Sequence, residues 1–301
     1  MPTTKRFPTA HLLNVNERFF LIDCGEGTQI QLRRYKLGFA KINRLFISHI
    51  HGDHVFGIFG LLSSFQLLGR KNELHIHGPG EIMEIVKFYE KYFGTDQSYR
   101  IKVHPLGYTR KMLIFEDERL EIFSFPLQHR VPTCGFLFRE KPAELNLKKD
   151  AIDKFRPGIE NIRKIKKGED LILENGNVIP NQDLTLTPWK TRSYAYCSDT
   201  SYNPELTDIL QGVDLLYHEA TFSKEDEGLA SQTGHSSSVQ AAKIARDSNA
   251  GKLLIGHFSA RYKSPGILEN EAKEIFNNTV GVNDGDIFEI ERTRNESNPI
   301  I

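Results

Sequence analysis

Apolar and polar positions alternate in short bursts along the chain, and several bursts end on chemically active side chains. Residues 19–23 form an apolar run that predicts a strand ending at Asp23. Gly25-Glu26-Gly27 makes a turn, and residues 28–36 then carry helical spacing with Ile30 and Leu32 inward. Leu45-Phe46-Ile47 is a second apolar run, followed at once by Ser48-His49-Ile50-His51-Gly52-Asp53-His54. A mostly apolar helix is predicted over 56–68, a short strand over 74–79, and an amphipathic helix over 81–93 with Ile82, Ile85, Val86 and Tyr89 on one face. Strands are predicted near 101–106, 112–115 and 121–125, and again over 193–200, 215–222 and 253–258. A helix over 239–248, capped by Ser236 or Ser237, precedes the last of these strands. A helix over 269–277 and a strand over 286–290 close the pattern, and the polar tail after Glu291 reads as frayed.

The histidine-rich segment dominates the chemistry. In extended backbone, side chains two apart point the same way, so His49 and His51 can face one metal. Asp53 and His54 follow where Gly52 lets the chain turn, and can face a second point a few ångström on. One ion could not easily use four groups from so short a segment, so two adjacent metals are the economical reading. Imidazole nitrogen and carboxylate oxygen are the donors that zinc takes. Three imidazoles crowded without a cation would be costly below neutral pH. His75 and His77 also alternate, but no carboxylate follows them, and they read as ordinary strand residues.

Composition narrows the class. The 301 residues are enough for one large domain or two small ones. No apolar run approaches a membrane span, and the charged N-terminus has no secretory core behind it. Cys24, Cys134 and Cys197 are too few and too scattered for a disulfide framework or a cysteine zinc site, which leaves the cytoplasm as the default location. Formal charge is zero, from 39 basic and 39 acidic residues, so no global basic excess points to nucleic acid. The charge is uneven, however: residues 141–168 hold nine Lys or Arg against four acids.

The segment from Ser48 to His54 resembles the signature of the metallo-β-lactamase fold. Its continuation, Val55-Phe56-Gly57-Ile58-Phe59-Gly60-Leu61-Leu62-Ser63-Ser64, resembles ribonuclease Z, the endonuclease that trims precursor tRNA 3′ ends. The upstream stretch from Leu21 to Leu32 resembles it too. The resemblance runs from Pro2 to Tyr262 and implies an α/β fold, an αββα sandwich of two mixed sheets flanked by helices. It implies two zinc ions: His49, His51 and His129 for one, Asp53, His54 and His257 for the other, with Asp199 bridging. Asp23 would steady the histidine loop. Asp53 would take the nucleophile's proton, and His235, held by Glu219, would protonate the leaving oxygen. Arg261 and Tyr262, with Ser63 and Ser64, resemble positions near the tRNA 3′ end.

By the same resemblance, residues 141–180 correspond to an arm that grips the body of tRNA, inserted in a single 1–301 domain. Here the arm keeps only Pro157-Gly158 of the family's Gly-Pro-rich tip. The family's opening strand is expected to be absent, since the chain starts at the Pro-Thr segment that normally follows it. A homodimer acting on precursor tRNA, with no membrane partner, is implied. The metal ligands alone leave open another dinuclear hydrolase of this fold, such as a small phosphodiesterase or a sulfatase. An RNA-binding scaffold with a dead site is the alternative outside enzymology, although such a scaffold normally loses ligands and all seven are present.

Overall fold

A computed structural model describes residues 3, 6–38, 41–94 and 98–294. These fold as two compact units. The first draws on residues 1–115, 122–138 and 193–288, and the second on 116–121, 139–192 and 289–301.

The first unit is built on two sheets. One has five strands in the order β1 (His11–Val15), β2 (Arg18–Ile22), β3 (Ile42–Phe46), β4 (Leu74–Gly78) and β5 (Ile101–Pro105). β1 and β2 form an antiparallel hairpin, while β2 to β5 run parallel. The other sheet has seven strands. Its order is β14 (Thr279–Gly281), β13 (Lys252–Gly256), β12 (Leu215–Glu219), β11 (Ser193–Cys197), β8 (Thr133–Glu140), β7 (Leu120–Leu127), β6 (Met112–Glu116). β11 to β14 run parallel.

Alternation along the strands sorts side chains into layers. Leu45 and Ile47 face helices α1 (Thr28–Arg34), α3 (Ile58–Leu67) and α4 (Ile82–Phe93), and pack with Leu61, Phe65, Ile82 and Tyr89. Phe46 points the other way, onto Phe136 and Phe138 of β8. Ala195 and Cys197 of β11 face α8 (Leu206–Ile209), α10 (Ser238–Asp247) and α11 (Gly266–Lys273). Tyr194 and Tyr196 turn inward between the sheets. The result is helix, sheet, sheet, helix, as the resemblance implies. Leu45, Phe46 and Ile47 are fully buried, each contributing about 1.5–3 kcal/mol by leaving water.

The second unit holds α5 (Lys149–Phe155), α6 (Ile159–Lys166), the strand pair β9 (Leu171–Ile172) and β10 (Val178–Ile179), and α7 (Asn181–Leu184). Ala151, Ile165, Leu171 and Leu184 form its own small core. The cations Lys149, Lys154, Arg163, Lys164 and Lys167 stay exposed around it.

The structure departs from the sequence pattern in several places, and β8 and β14 are strands that the pattern does not predict. Ile30 is 59% exposed rather than inward. The buried face of α1 joins Thr28 to Leu32 at i and i+4, which turns position 30 to solvent. Residues 286–290 form no strand: the alternation is there, but Ile287 is 86% exposed. The hairpin partner β1 carries no clear sequence signal, because His11-Leu12-Leu13-Asn14-Val15 is short, half-buried and lacks clean alternation. The expectations for the Pro2–Thr4 segment and for the end of the tail fall on residues 1, 2, 4, 5 and 295–301, outside the described residues.

Candidate metal centre

The donors cluster because each sits just past a strand. His49 and His51 follow β3, and Asp53 and His54 ride on α2 (Gly52–Val55), with His51 extended at its N-cap. His129 lies between β7 and β8, Asp199 two residues past β11, and His257 directly after β13. Glu219 is the last residue of β12. Crevices at the carboxyl ends of parallel strands are the usual place for ligands in such sheets.

Two donor groups result. In the first, His51 Nδ1 lies 3.1 Å from His49 Nε2 and 3.3 Å from His129 Nε2. Asp199 Oδ2 lies 3.7 Å from His49 Nε2 and 3.9 Å from His129 Nε2. In the second, Asp199 Oδ1 is 3.5 Å from His54 Nε2 and 3.4 Å from His257 Nε2, which is 3.7 Å from Asp53 Oδ2. Asp199 thus turns one oxygen to each group. His54 Nε2 and Asp199 Oδ1 are buried with no hydrogen-bond partner. Two such orphans facing each other are costly unless a cation takes both, so the residues fit a metal.

The opposite edges of His54, His49 and His129 are anchored. Asp23, fully buried, accepts from His54 Nδ1 at 2.8 Å, Ser48 N at 2.8 Å, Ser48 Oγ at 2.9 Å and Tyr196 OH at 2.6 Å. Ser48 Oγ lies 2.9 Å from His49 Nδ1. His129 Nδ1 donates to the Gly234 carbonyl at 2.7 Å. Gly234 has φ +77°, and a Cβ there would come within 3.0 Å of His129 Nδ1. Asp23 and His257 are themselves in the left-handed region, with φ 56° and 60°. Such strain in non-glycine residues concentrates at functional sites.

Charge follows geometry. Burial, helped by the charge of His54, pushes His49 down to about 3, and burial lowers His129 as well. The His257 imidazole holds the Asp53 carboxyl below the usual range. Burial would raise Asp199, but His257 and His54 more than offset it and hold it low. Burial would lower His54 too, yet Asp199 and Asp23 draw it well above its ordinary value. The pocket therefore favours ionised carboxylates and calls for positive charge between them.

Beside the metal donors, His235 Nδ1 donates to Glu219 Oε1 at 2.8 Å. Glu219 is fully buried and also accepts from Thr200 N, Ser236 N, Thr221 N and Thr221 Oγ1. His235 faces the donor groups, its ring stacked 5.4 Å from that of His257. Burial alone would lower His235, but the Glu219 hydrogen bond and charge raise it above its ordinary value. The helix α9 (Glu227–Thr233) leads into His235, and Ser237 caps α10 with a complete capping box through Gln240.

The other expected contacts are engaged within the chain. Tyr262 OH donates to Asp226 at 2.5 Å and accepts from Ser223 N at 2.9 Å, and Arg261 pairs with Asp226 at 3.1 Å. Ser64 Oγ bonds the Gly60 carbonyl, and Ser63 Oγ lies 3.4 Å from Tyr89 OH. Sequence reasoning missed the parts played by Ser48, Tyr196 and Thr221. Only Thr221 left a trace, two residues beyond Glu219 and so on the same side of an extended chain.

Comparison with known proteins gives this geometry a context. The chain is 44% identical to a ribonuclease Z of Bacteroides thetaiotaomicron over 280 residues, 93% of this chain and 89% of the relative. It is 41% identical to a ribonuclease Z of Porphyromonas gingivalis over 284 residues, covering 94% and 93%. Among solved structures it resembles the short form of human tRNase Z, with a TM-score of 0.71, 25% identity and coverage of 96% and 95%. A metallo-β-lactamase fold protein of Bacillus subtilis shares the fold at 20% identity and a TM-score of 0.65, over 95% and 92% of the two chains. A family model described as anti-Pycsar protein Apyc1 matches residues 2–84, the stretch that carries β1 to β4 and the first four metal donors.

Proposed function

The chain belongs to the ribonuclease Z family, and from that premise we propose how it works as an endoribonuclease that removes 3′ trailers from precursor tRNA. The cut falls near the discriminator nucleotide and leaves a 3′-hydroxyl on the tRNA and a 5′-phosphate on the trailer. The observation that carries the chemistry is the pair of donor groups sharing Asp199. Zinc is the metal this donor set suits, two ions per subunit: His49, His51 and His129 would hold one, Asp53, His54 and His257 the other, and Asp199 would serve both. When bound, the ions would supply positive charge at the phosphoryl oxygens and a readily deprotonated water.

The chain's own groups do the rest. Asp53, partly exposed and held ionised, accepts the proton of the attacking water. As the P–O3′ bond breaks, His235 donates from Nε2 to the departing O3′, because its Nδ1–H is committed to Glu219. Arg261 lies beside the site on the loop after His257 and is the candidate to meet phosphate there. The arm, residues 141–180, offers exposed cations on a small core of its own and serves to hold the tRNA body.

A homodimer is supported by an aromatic cluster left facing solvent on α3 and α4. Phe59, Phe88, Tyr92 and Phe93 are 37–57% exposed while packing on one another. Such a patch on a soluble protein marks an interaction surface. Three free, buried cysteines fit a cytoplasmic setting, and no helix among the described residues is long and apolar enough to cross a membrane.

The test is to incubate the zinc-loaded protein with a 3′-extended precursor tRNA and map the ends. A single cut near the discriminator, lost on chelation and in His51→Ala, is expected. Intact tRNA alongside rapid hydrolysis of a small phosphodiester would move the reading to a small-substrate hydrolase.

A further inference from the structure

Thr221 lies between the proton-transfer pair and the metal donors. Its Oγ1 is 2.7 Å from Glu219 Oε2, 2.9 Å from His257 Nδ1 and 3.3 Å from His235 Nδ1. The side chain is buried, at 6% exposure. The residue is tied down at both ends, since its N–H donates to Glu219 Oε2 at 2.9 Å and its carbonyl accepts from Ser259 N at 3.0 Å.

A hydroxyl has one proton to give and lone pairs to accept with. Glu219 takes hydrogen bonds from backbone amides on both oxygens, so it acts as an acceptor. The short 2.7 Å contact therefore uses the Thr221 proton. At 2.9 Å, His257 Nδ1 can then only be the donor. That places a proton on His257 Nδ1 and turns Nε2 toward Asp199 Oδ1 and Asp53 Oδ2. His257 also has a left-handed backbone, φ 60°, and its ring meets this anchor at Nδ1.

We propose that Thr221 is a positioning residue whose hydroxyl joins Glu219 to His257 and holds His257 in the Nδ1–H tautomer that presents Nε2 to the metal. One carboxylate thus orders two histidines. It holds His235 directly and His257 through Thr221, so the proton donor and one wall of the metal pocket are set in a single network. The inference rests on the metal reading above.

Three measurements test it. In the metal-free protein above neutral pH, nitrogen NMR should find His257 as the Nδ1–H tautomer, the minority form of free histidine. Thr221→Val, which keeps the shape and loses the hydroxyl, should weaken zinc binding about 10–100-fold in chelator competition and shift His257 to Nε2–H. Thr221→Ser should restore both. An Nε2–H tautomer in the wild type, zinc binding unchanged in Thr221→Val, or a Thr221→Ser variant as defective as Thr221→Val would each overturn the proposal. Should Thr221→Val fail to fold, the wild-type tautomer decides alone. A wild-type protein that bound no zinc would overturn the metal reading, and the tautomer would still decide this one.

Discussion

Asp23 Oδ2 accepts the Nδ1–H of His54 at 2.8 Å, with both side chains wholly buried. The contact fixes which nitrogen His54 turns to the metal pocket, and Asp23 has three further donors to satisfy. Asp23→Ala should strand those donors and cost about 3–5 kcal/mol of stability, as breaking a buried charged contact does. Metal affinity should fall about 10–100-fold besides. Asp23→Asn, close in size, should lose less of both. Denaturant melts of the metal-free protein and zinc titration would separate the two effects.

The Glu219–His235 pair predicts the alkaline side of the pH profile. His235 acts as an acid only while protonated, and Glu219 raises its pKa above the ordinary value. Activity at saturating tRNA should therefore hold through neutrality and decline as pH rises through the elevated His235 value. Glu219→Gln removes the raising charge, so the decline should begin at lower pH, with kcat reduced by roughly 10²–10⁴-fold at the optimum. An alkaline limb that stayed in place would show that His235 does not carry the leaving-group proton.

Much of this site was legible because metal chemistry leaves local marks. His49, His51, Asp53 and His54 sit within six residues; two-residue periodicity gives the shared direction of His49 and His51, and the turn at Gly52 redirects Asp53 and His54. Asp199 and His257 were legible as polar residues ending apolar runs. Tyr196 was not, and Thr221 left only its spacing from Glu219, because a hydroxyl acquires its role only when residues of different strands and loops meet around it. Ile30 misled for a related reason: an apolar residue in a short helix faces solvent when the turn that precedes it sets the phase.

Acid should loosen the space between the sheets. His11 is wedged against the rings of Tyr196 and Tyr217, and burial lowers it to about 4. A histidine depressed when folded stays neutral there but protonates in the unfolded chain. Its contribution is complete above the unfolded value of about 6.5 and is lost as pH falls toward the folded one. From pH 7 to pH 5 that loss should be about 2 kcal/mol. Urea unfolding at both values should show it, and His11→Gln should shrink it while lowering stability at pH 7. An equal loss in both proteins would assign the acid sensitivity to other groups.

The aromatic face predicts assembly. Phe88 and Phe93 are 50% and 57% exposed, so glutamate at both positions should leave the fold intact and the melting temperature close to the wild type. If α3 and α4 form the dimer contact, light scattering should show the wild type at twice 34.4 kDa and the double variant at 34.4 kDa. A double variant that remained dimeric would place the contact elsewhere.

The arm predicts where salt acts. Lys149, Arg163 and Lys167 are exposed cations on its surface. Replacing all three with glutamine should lower the salt dependence of tRNA affinity, taking up to about 0.7–0.9 from the log–log slope for each phosphate no longer neutralised. KM for precursor tRNA should rise and kcat should change little, because none of the three belongs to the metal centre. Hydrolysis of a small phosphodiester, which has no body to grip, should be unaffected. Equal losses on both substrates would mean that these charges support folding, and the hold on tRNA would have to be sought on the first unit.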